Sequence, residues 1–405
     1  MQQDHRGHLA YSIPGSFKMQ TSLTSDLMVT FDVEIPDIPP AWMIGARTHL
    51  LDCWDPQIEW IRVPGILFPR QEFSVSLIRG NLSQDGTSKT QLKTRGDKSE
   101  EALKVTGLFH DVRPHGGENF AHAILDGVVS SLACQSAART LGIDVSVTAI
   151  IPADSAPYIK EVYKLTGIPT LATGRTVRGQ CMRTNFNTLA NVGLAKRLLP
   201  GFLTEKLAAN SEGLPKRVYL ARHGGRCVRN ADEIDSLLLQ KGFVKIYPEQ
   251  LPVIDQIRLL WHADAVVGVH GAALAALLFR ALRTDSRPFC LIELFGPGYI
   301  VTLYRHLVAE IGGDWIGVRG RVTPQVVDDL DTKQQRSFRR IVSSMLSGSM
   351  KHRIFGKEPP WQRTHQSSSF EVDPASVEAA FDVLTSGTTE PPSRVIRRQT
   401  VIENP

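Results

Sequence analysis

The alternation of apolar and polar positions divides the chain into segments of different kinds. Residues 1–106 hold short apolar runs that prolines interrupt, which predicts strands, turns and loops. In 107–212 and again in 213–325, strand patterns alternate with helical ones. Continuous apolar strands between helices, such as 265–269, are typical of a parallel sheet covered on both faces. The chain is therefore expected to be an α/β protein with two layers that face a central cleft.

The residues after this alternating part predict helices followed by a tail. Helices within 326–384 are expected to cross back over the molecule, and 385–405 to form a flexible tail. Segment 333–363 carries eight lysines and arginines but one acid, Glu358. A solvated helix face is the favoured interpretation, and a basic helix on an anionic membrane is the alternative. The polar run 83–101 predicts a solvated loop.

Composition and charge are those of an ordinary globular protein, with 405 residues of which 42% are hydrophobic and 21% charged. A net charge of +5 favours anionic ligands slightly and does not indicate nucleic acid. The five cysteines are dispersed without C-x-x-C pairs, which indicates reduced thiols. No apolar run has the length of a signal-peptide core or of a membrane helix of ~20 residues. We therefore expect a cytoplasmic protein, with at most a peripheral contact at the inner face of the plasma membrane.

A glycine-containing turn, which we call the HGA turn (270–272), follows the apolar strand at 265–269. The strand ends at His270, Gly271 permits a tight turn, and the small residues Ala272 and Ala273 begin the next helical pattern. Free backbone N–H groups at such a helix start can bind a phosphate or diphosphate, although plain strand-to-helix turns have the same pattern. The segment has neither a G-x-G-x-x-G nor a Walker sequence, so it favours neither a dinucleotide cofactor nor ATP hydrolysis.

An arginine-rich loop follows another predicted strand, RVYLAR. Arg222, Arg226 and Arg229 lie between this strand and a helix that Asn230 is expected to cap, with Glu233 three residues later. Arginines at the carboxyl end of a parallel strand lie where open α/β sheets bind ligands, and a guanidinium can bind phosphate oxygens bidentately. Arg222 is therefore predicted to contact a ligand, and a surface ion pair is the alternative.

A carboxylate, Glu293, lies at the end of the apolar run CLIEL, before a Gly-Pro-Gly turn. A carboxylate in this position can accept both hydroxyls of a ribose, as the acidic residue of nucleotide-binding sheets does. The alternatives are a helix cap and an ion-pair partner.

The helical pattern after Asn119 places two polar residues four positions apart. At 100° per residue, His122, Asp126 and Ser130 share one side. The opposite side is apolar and carries Phe120, Ile124, Leu125, Val128 and Leu132. The phase therefore predicts that the polar pair lies outside the core. The neighbours of the polar stripe are alanines, which indicates that something approaches closely there.

His122 and Asp126 are candidate catalytic residues. Histidine is a general base near neutral pH, and a carboxylate one turn away can orient it or act as the base itself. The pair would also provide two metal ligands, but no third ligand has the required spacing. Asp329 and Asp331 have the form of an acidic metal–diphosphate motif, for which an acidic surface loop is the favoured interpretation.

Taken together, these motifs resemble glycosyltransferase family 61, which includes bacterial capsular-polysaccharide enzymes, plant xylosyltransferases and animal EGF-domain O-linked GlcNAc transferases. The resemblance covers about 107–310. The matching positions, in the family's order, are Asn119, His122 and Asp126; Arg222, Asn230 and Glu233; Pro248, Glu249 and Gln256; and 270–279, HGAALAALLF. Ala123, Ala273 and Ala276 depart from the family pattern.

The resemblance implies a GT-B-like fold, with two Rossmann-like domains facing a central cleft. Residues 107–212 would form the acceptor domain, 1–106 a strand-rich extension packed on it, and 213–325 the domain that binds the nucleotide-sugar. The reaction would be inverting transfer from a UDP-sugar to a hydroxyl of a glycan or lipid-linked glycan, in capsular or surface polysaccharide synthesis. It would require no cofactor, and a divalent metal is an alternative that the motifs do not predict. From the mild charge, nucleic acid is not expected as a partner.

The resemblance also implies roles for individual residues. His122 and Asp126 would deprotonate the acceptor, with Asn119 on the acceptor side. The residues implied in donor binding are Arg222, Asn230, Glu249, His270, Gly271, Ala272 and Glu293. Two alternatives remain open: a non-catalytic nucleotide-sugar or glycan-binding protein, which the alanines at 273 and 276 suggest, and a metal-dependent hydrolase that uses the His–Asp pair.

Overall fold

The computed structural model describes residues 102–320, except 116–118, 186, 210, 286 and 297–300, together with 369–386 and short strand segments elsewhere. The basic segment 333–363, the aspartates at 329 and 331, the loop 83–101 and most of the tail 385–405 lie outside the described residues.

The described strands are β1 Gln2–Gln3, β2 Leu9–Ile13, β3 Phe17–Thr21, β4 Leu27–Val33, β5 Ala41–Ala46, β6 Gln57–Val63, β7 Gln71–Ile78, β8 Leu103–Asp111, β9 Val147–Ile151, β10 Thr170–Ala172, β11 Val177–Thr184, β12 Arg217–Leu220, β13 Val244–Ile246, β14 Ala265–Val269, β15 Cys290–Phe295, β16 Asp314–Arg319 and β17 Arg397–Arg398.

The first helix, α1, has three consecutive parts: an α-helical turn Phe120–His122, a π-helical turn Ala123–Val128 and an α-helix Val129–Thr140. The other α-helices are α2 Pro157–Leu165, α3 Thr188–Leu198, α4 Phe202–Ala208, α5 Ala231–Gln240, α6 Val253–His262, α7 Leu303–Glu310 and α8 Pro374–Ser386. Segments of 3₁₀-helix are Arg113–His115, Pro248–Gln250 and Ala272–Leu282. None of the helices in the described part of the chain has the length and hydropathy that a membrane crossing requires.

The strands form two mixed sheets. Among the described residues the first has the order β1-β2-β3-β4-β7-β11-β8-β9-β10 and is parallel from β11 to β10. The second has the order β13-β12-β14-β15-β16-β5-β6-β17 and is parallel from β13 to β5. The predicted α/β class is confirmed, and apart from β5 the parallel strands lie in or at the start of the regions where strand and helix patterns alternate.

The described strands of residues 1–106 are divided between the two sheets. β4 and β7 join the first sheet, whereas β5 pairs with β16 in the second, with Ile316 opposite Trp42 and Val318 opposite Ile44. The backbone edge of β16 requires a partner strand, and β5 provides it from a distant part of the sequence. Hydrophobic periodicity is local and does not reveal such a pairing, so the contribution of β5 to the second sheet was not predicted.

The second sheet is buried on both faces, as its apolar strands predict. All five residues of β14 are buried, and adjacent side chains enter different apolar clusters: Val266 packs on one face and Val267 on the other. α6 and the 3₁₀ segment cover the first face, and α5 and α8 cover the second. The cluster on the first face continues into the first sheet and α1, so packing of apolar side chains connects the two sheets.

The segment Ala272–Leu282, expected to be an α-helix, is a 3₁₀-helix that is buried from Leu274 to Ala281. Its end is fixed by Arg280, whose Nη1 donates to the carbonyls of Leu260, Trp261 and Ala263 at the end of α6. The buried guanidinium thus satisfies the last carbonyls of a neighbouring helix.

Candidate functional site

The candidate catalytic pair lies at the start of α1. Asn119 begins the helix, because its side-chain oxygen accepts a hydrogen bond from the backbone N–H of Ala121 at 2.8 Å. The side-chain NH2 group of Asn119 takes no part in this bond and remains available for a contact with the acceptor substrate. His122 ends the first turn and its side chain is 50% exposed. Asp126 lies in the π-helical turn and is completely buried.

The π-helical turn explains why Asp126 is buried although the helical phase predicts otherwise. A π-helix takes more residues per turn than an α-helix, so the positions after Ala123 rotate away from the 100° spacing. Asp126 and Ser130 therefore enter the core, with 0% and 1% of their surface exposed. His122 precedes this turn and remains at the surface, so the predicted outward stripe is correct for His122 alone.

His122 and Asp126 form a hydrogen-bonded pair, with 2.7 Å between Nδ1 and Oδ2. This bond raises the pKa of His122 above its ordinary 6.5; burial opposes the rise and the negative charge of Asp126 adds to it. When an ionised Asp126 accepts from Nδ1–H, the lone pair of the neutral imidazole lies on Nε2. An imidazole held in this way can take a proton at Nε2.

Buried polar side chains attach the middle of α1 to the first sheet. Ser130 Oγ donates to the carbonyl of Asp126 and lies 3.0 Å from His110 Nε2. Nδ1 of the same histidine lies 2.9 Å from the carbonyl of Met182 in β11. The orientation of the π-helical turn is therefore fixed from the strand side.

The arginine loop follows β12 directly and brings Arg222 against the HGA turn. A Cβ atom added to Gly271 would lie 2.6 Å from Arg222 Nη1. Gly271 has an extended backbone with φ 172°, so glycine is required for this close approach and not for its conformation. In the part of the chain that the structure describes, the half-buried guanidinium has no hydrogen-bond or ion-pair partner. Burial and the charge of Arg226 lower the pKa of Arg222, whereas Glu249 opposes that change.

His270, the first residue of the HGA turn, is held by Glu293. The distance between His270 Nδ1 and Glu293 Oε1 is 2.5 Å, and Glu293 Oε2 accepts from Trp315 Nε1 at 2.7 Å. Glu293 is completely buried, and the imidazole stacks on Phe295 with 5.2 Å between ring centroids. Both carboxylate oxygens are engaged within the protein, so Glu293 holds His270 and Trp315 here, and its contact with a ribose stays a prediction.

Asn230 anchors the arginine loop instead of capping α5. Its Nδ2 donates to the carbonyl of Val372 at 2.7 Å and its Oδ1 accepts from the Val372 N–H at 3.0 Å. It makes no side-chain cap bond, although Nδ2 also donates to Glu233 at 3.1 Å. The bridge between Val228 and Phe370 extends this contact. An attachment to the C-terminal segment replaces the predicted side-chain cap, and the donor contact of Asn230 stays a prediction.

The remaining residues of the family motifs surround the loop. Glu249 is exposed on the 3₁₀ segment Pro248–Gln250, and Gln256 donates to the carbonyl of Leu251 at 2.9 Å. Ala273 lies with Pro248 and Gln256 on the wall of a small, mostly apolar pocket. Ala276, in contrast, is fully buried in the core, so its departure from the family pattern changes packing and not a ligand contact.

Three residues near the motifs were not predicted from the sequence: His223, Tyr247 and Tyr163. His223 is exposed and stacks on Tyr247, with 3.8 Å between ring centroids and 7° between ring planes. Tyr163 is buried beside the π-helical turn. The adjacency of Gly127 to Asp126 was the only available signal for Tyr163, since a glycine inside a helix often marks a close approach.

Contacts between elements connect the two halves of the candidate site. The first turn of α1, Phe120–His122, contacts the 3₁₀ segment Ala272–Leu282, which begins directly after Gly271. Arg222 contacts Gly271 in turn. Within the described residues, no group of three His, Cys, Asp or Glu side chains is arranged to hold a metal ion.

Residues 120–287 match the family model described as Glycosyltransferase 61. The matched region belongs to glycosyltransferase family 61. It contains the His–Asp pair, the arginine loop and the HGA turn, which are the motifs that the structure connects. The match confirms the family that the sequence motifs resemble and the prediction that the protein is a glycosyltransferase.

Solved structures are only distantly similar to this glycosyltransferase. The dodecameric iron-containing heptosyltransferase TibC, in complex with ADP-D-beta-D-heptose, is 10% identical, covers 73% of this chain and 79% of its own, and has a TM-score of 0.29. A second structure of TibC, from enterotoxigenic E. coli, is 9% identical with the same coverage and a TM-score of 0.27. Similarity at this level carries no argument about ligands or domain arrangement. No curated protein matches the chain.

Proposed function

We propose that the protein is an inverting glycosyltransferase that moves a sugar from a nucleotide-sugar, expected to be a UDP-sugar, to a hydroxyl group of a glycan. The observation that carries the proposal is the pair of His122 and Asp126: a buried carboxylate holds Nδ1 of a half-exposed imidazole and leaves Nε2 for a substrate proton. This is the arrangement that a general base requires.

In the proposed reaction, the acceptor hydroxyl oxygen attacks the anomeric carbon while the bond from that carbon to the diphosphate oxygen breaks. The hydroxyl proton moves to Nε2 of His122, and Asp126 stabilises the imidazolium that forms. The nucleoside diphosphate leaves with the bonding electron pair. Displacement from the opposite face inverts the anomeric configuration.

Arg222 is the proposed partner of the departing diphosphate. Its guanidinium has no partner in the described residues, lies against Gly271 and stands at the carboxyl edge of the parallel sheet. A fixed cation in a half-buried position stabilises negative charge that develops as the bond breaks, which is a large part of such catalysis. The step as proposed requires no metal ion and no cofactor.

The nucleoside is proposed to lie beside the same loop. Glu249 is exposed, and its negative charge raises the pKa of Arg222. Glu249 therefore replaces Glu293 as the candidate acceptor for ribose hydroxyls. The exposed ring of His223, stacked on Tyr247, offers an aromatic surface for a base. The second sheet would thus hold the donor and the first sheet, with α1, the acceptor. This division is that of a GT-B-like fold.

The acceptor is proposed to be a glycan or lipid-linked glycan of a capsular or surface polysaccharide, used at the cytoplasmic face of the membrane. Support for this context comes from the match to a family that includes bacterial capsular-polysaccharide enzymes and from the dispersed cysteines.

The proposal is tested by following the hydrolysis of donor sugars by the full chain, since glycosyltransferases also transfer slowly to water. A panel of UDP-, GDP- and CMP-sugars is incubated with the wild type and with Asp126→Asn, and the released sugar is examined by proton NMR. We expect release of the inverted anomer from one donor and its loss in Asp126→Asn. Release with retained configuration would contradict the inverting mechanism, and donor binding without any turnover would favour the non-catalytic binding protein.

A further inference from the structure

Tyr163 from α2 approaches the π-helical turn more closely than any side chain on Gly127 would allow. A Cβ atom added to Gly127 would lie 2.0 Å from the Tyr163 hydroxyl oxygen. Gly127 has no positive φ, so the close approach of Tyr163 explains the glycine. The tyrosine is completely buried, so its hydroxyl lies inside the protein beside the residue that follows Asp126.

Two buried polar atoms without a hydrogen-bond partner meet at this point. Within the described residues, neither the Tyr163 hydroxyl nor Asp126 Oδ1 has a partner, and both are shielded from solvent. The other oxygen of Asp126 is already bonded to His122. Buried polar atoms are rarely left unpaired, and here the donor from α2 lies against Gly127, the residue that follows the acceptor Asp126.

The electrostatics agree with a shared proton. Burial and the negative charge of Asp126 raise the pKa of Tyr163, so the phenol remains protonated at any working pH and can only donate towards the carboxylate.

We propose that Tyr163 is a positioning residue for the His122–Asp126 pair: its hydroxyl donates to Asp126 Oδ1 through one buried water and holds Oδ2 towards His122. Its effect on the rate rests on the proposed role of His122 as the base. The hydrogen bond also takes up part of the carboxylate charge. Removing it concentrates that charge on Oδ2, which strengthens proton binding by His122.

The test is Tyr163→Phe, which keeps the buried ring and removes the hydroxyl, with Tyr158→Phe as the matched control. Tyr158 lies on the same helix and is exposed, and its ring packs on Phe120 at 5.9 Å. Three quantities are measured in the full chain: the pKa of His122 by NMR titration, the melting temperature, and the rate of donor turnover against pH.

For Tyr163→Phe we expect a higher pKa of His122, a lower melting temperature and a fall in turnover near neutral pH of about tenfold, the size of one hydrogen bond to a charged group. Tyr158→Phe should change none of the three. An unchanged His122 titration together with an unchanged or higher melting temperature would overturn the proposal, because deleting an unpaired hydroxyl is neutral or stabilising. The titration and the melting temperature do not depend on glycosyl transfer, so they test Tyr163 even if the proposed function fails.

Discussion

Arg222 occupies the space that a side chain on Gly271 would fill: the distance from Nη1 to an added Cβ would be 2.6 Å. Two motifs separated by about fifty residues in the sequence, the arginine loop and the HGA turn, are therefore complementary in shape. The glycine lets the guanidinium lie against the backbone at the start of the 3₁₀ segment, where unpaired N–H groups add positive potential.

The first prediction concerns this contact. Gly271→Ala should displace the guanidinium of Arg222 without straining the backbone, because φ at Gly271 is 172°. We expect the Kd for the nucleotide-sugar to rise about tenfold, the loss of one charged hydrogen bond, with little change in stability. Isothermal titration measures the first effect and thermal unfolding the second. Gly201→Ala is the control, since an added Cβ there meets nothing within 4 Å. Equal donor affinity in Gly271→Ala and Gly201→Ala would argue against a role of the contact between Arg222 and Gly271 in donor binding.

The second prediction is a pH dependence. Turnover requires neutral His122, so it should rise with pH through the pKa of His122, which Asp126 raises above 6.5. In Asp126→Asn the carboxylate charge is lost, and the acidic limb should move to lower pH. The maximal rate should fall by about 10²–10⁴-fold, the usual contribution of a general base. Asp154→Asn, at an exposed position, should leave the profile unchanged. If the acidic limb of the pH–rate profile lies at the same pH in Asp126→Asn as in the wild type, His122 is not the titrating base.

The third prediction separates the two roles considered for Glu293. In Glu293→Gln, one of the two buried carboxylate oxygens becomes an NH2 group. This group faces a nitrogen donor, either Trp315 Nε1 or His270 Nδ1. We expect the free energy of unfolding to fall by about 1–3 kcal/mol, measured by denaturant titration. In Glu249→Gln, at an exposed position, stability should be unchanged and donor affinity reduced. Weaker donor binding by Glu293→Gln at undiminished stability would restore the ribose role.

The fourth prediction concerns the anchor of the arginine loop. Asn230→Ala removes the paired hydrogen bonds to Val372, so amide hydrogens of residues 226–230 should exchange faster and the KM for the donor should increase. Asn185→Ala is a matched control: Asn185 likewise accepts from Ser74 N–H at 2.7 Å and donates to the carbonyl of Glu72 at 2.9 Å, but in the first sheet. An increase in KM of the same size in both variants would indicate a general loss of stability.

The sequence was sufficient for the parts of the structure that depend on local patterns. The run 265–269 predicted a buried parallel strand because both faces are apolar, and β14 is buried at every position. The helix after Asn119 was predicted from its apolar stripe, and the structure adds that Asn119 is its N-cap. The motifs pointed to the family because their order matches its pattern, and the family model matches residues 120–287.

Features that depend on distant parts of the chain or on irregular helices could not be read from the pattern. β5 completes the second sheet from the N-terminal region, and hydrophobic periodicity carries no information on that partner. Asp126 is buried because of a π-helical turn, which the 100° phase does not anticipate. Asn230 and Glu293 have the residue types of ligand contacts, but Val372, His270 and Trp315 use their polar atoms.

The most direct test of the proposed donor site is isothermal titration of the nucleotide-sugar panel into the full chain and into Arg222→Ala, with Arg178→Ala at an exposed position as the control. We predict that one nucleotide-sugar binds to the wild type and to Arg178→Ala with the same Kd, and at least tenfold more weakly to Arg222→Ala. The absence of binding by every nucleotide-sugar, or equal affinity for the wild type and Arg222→Ala, would contradict a donor site at the arginine loop and the HGA turn.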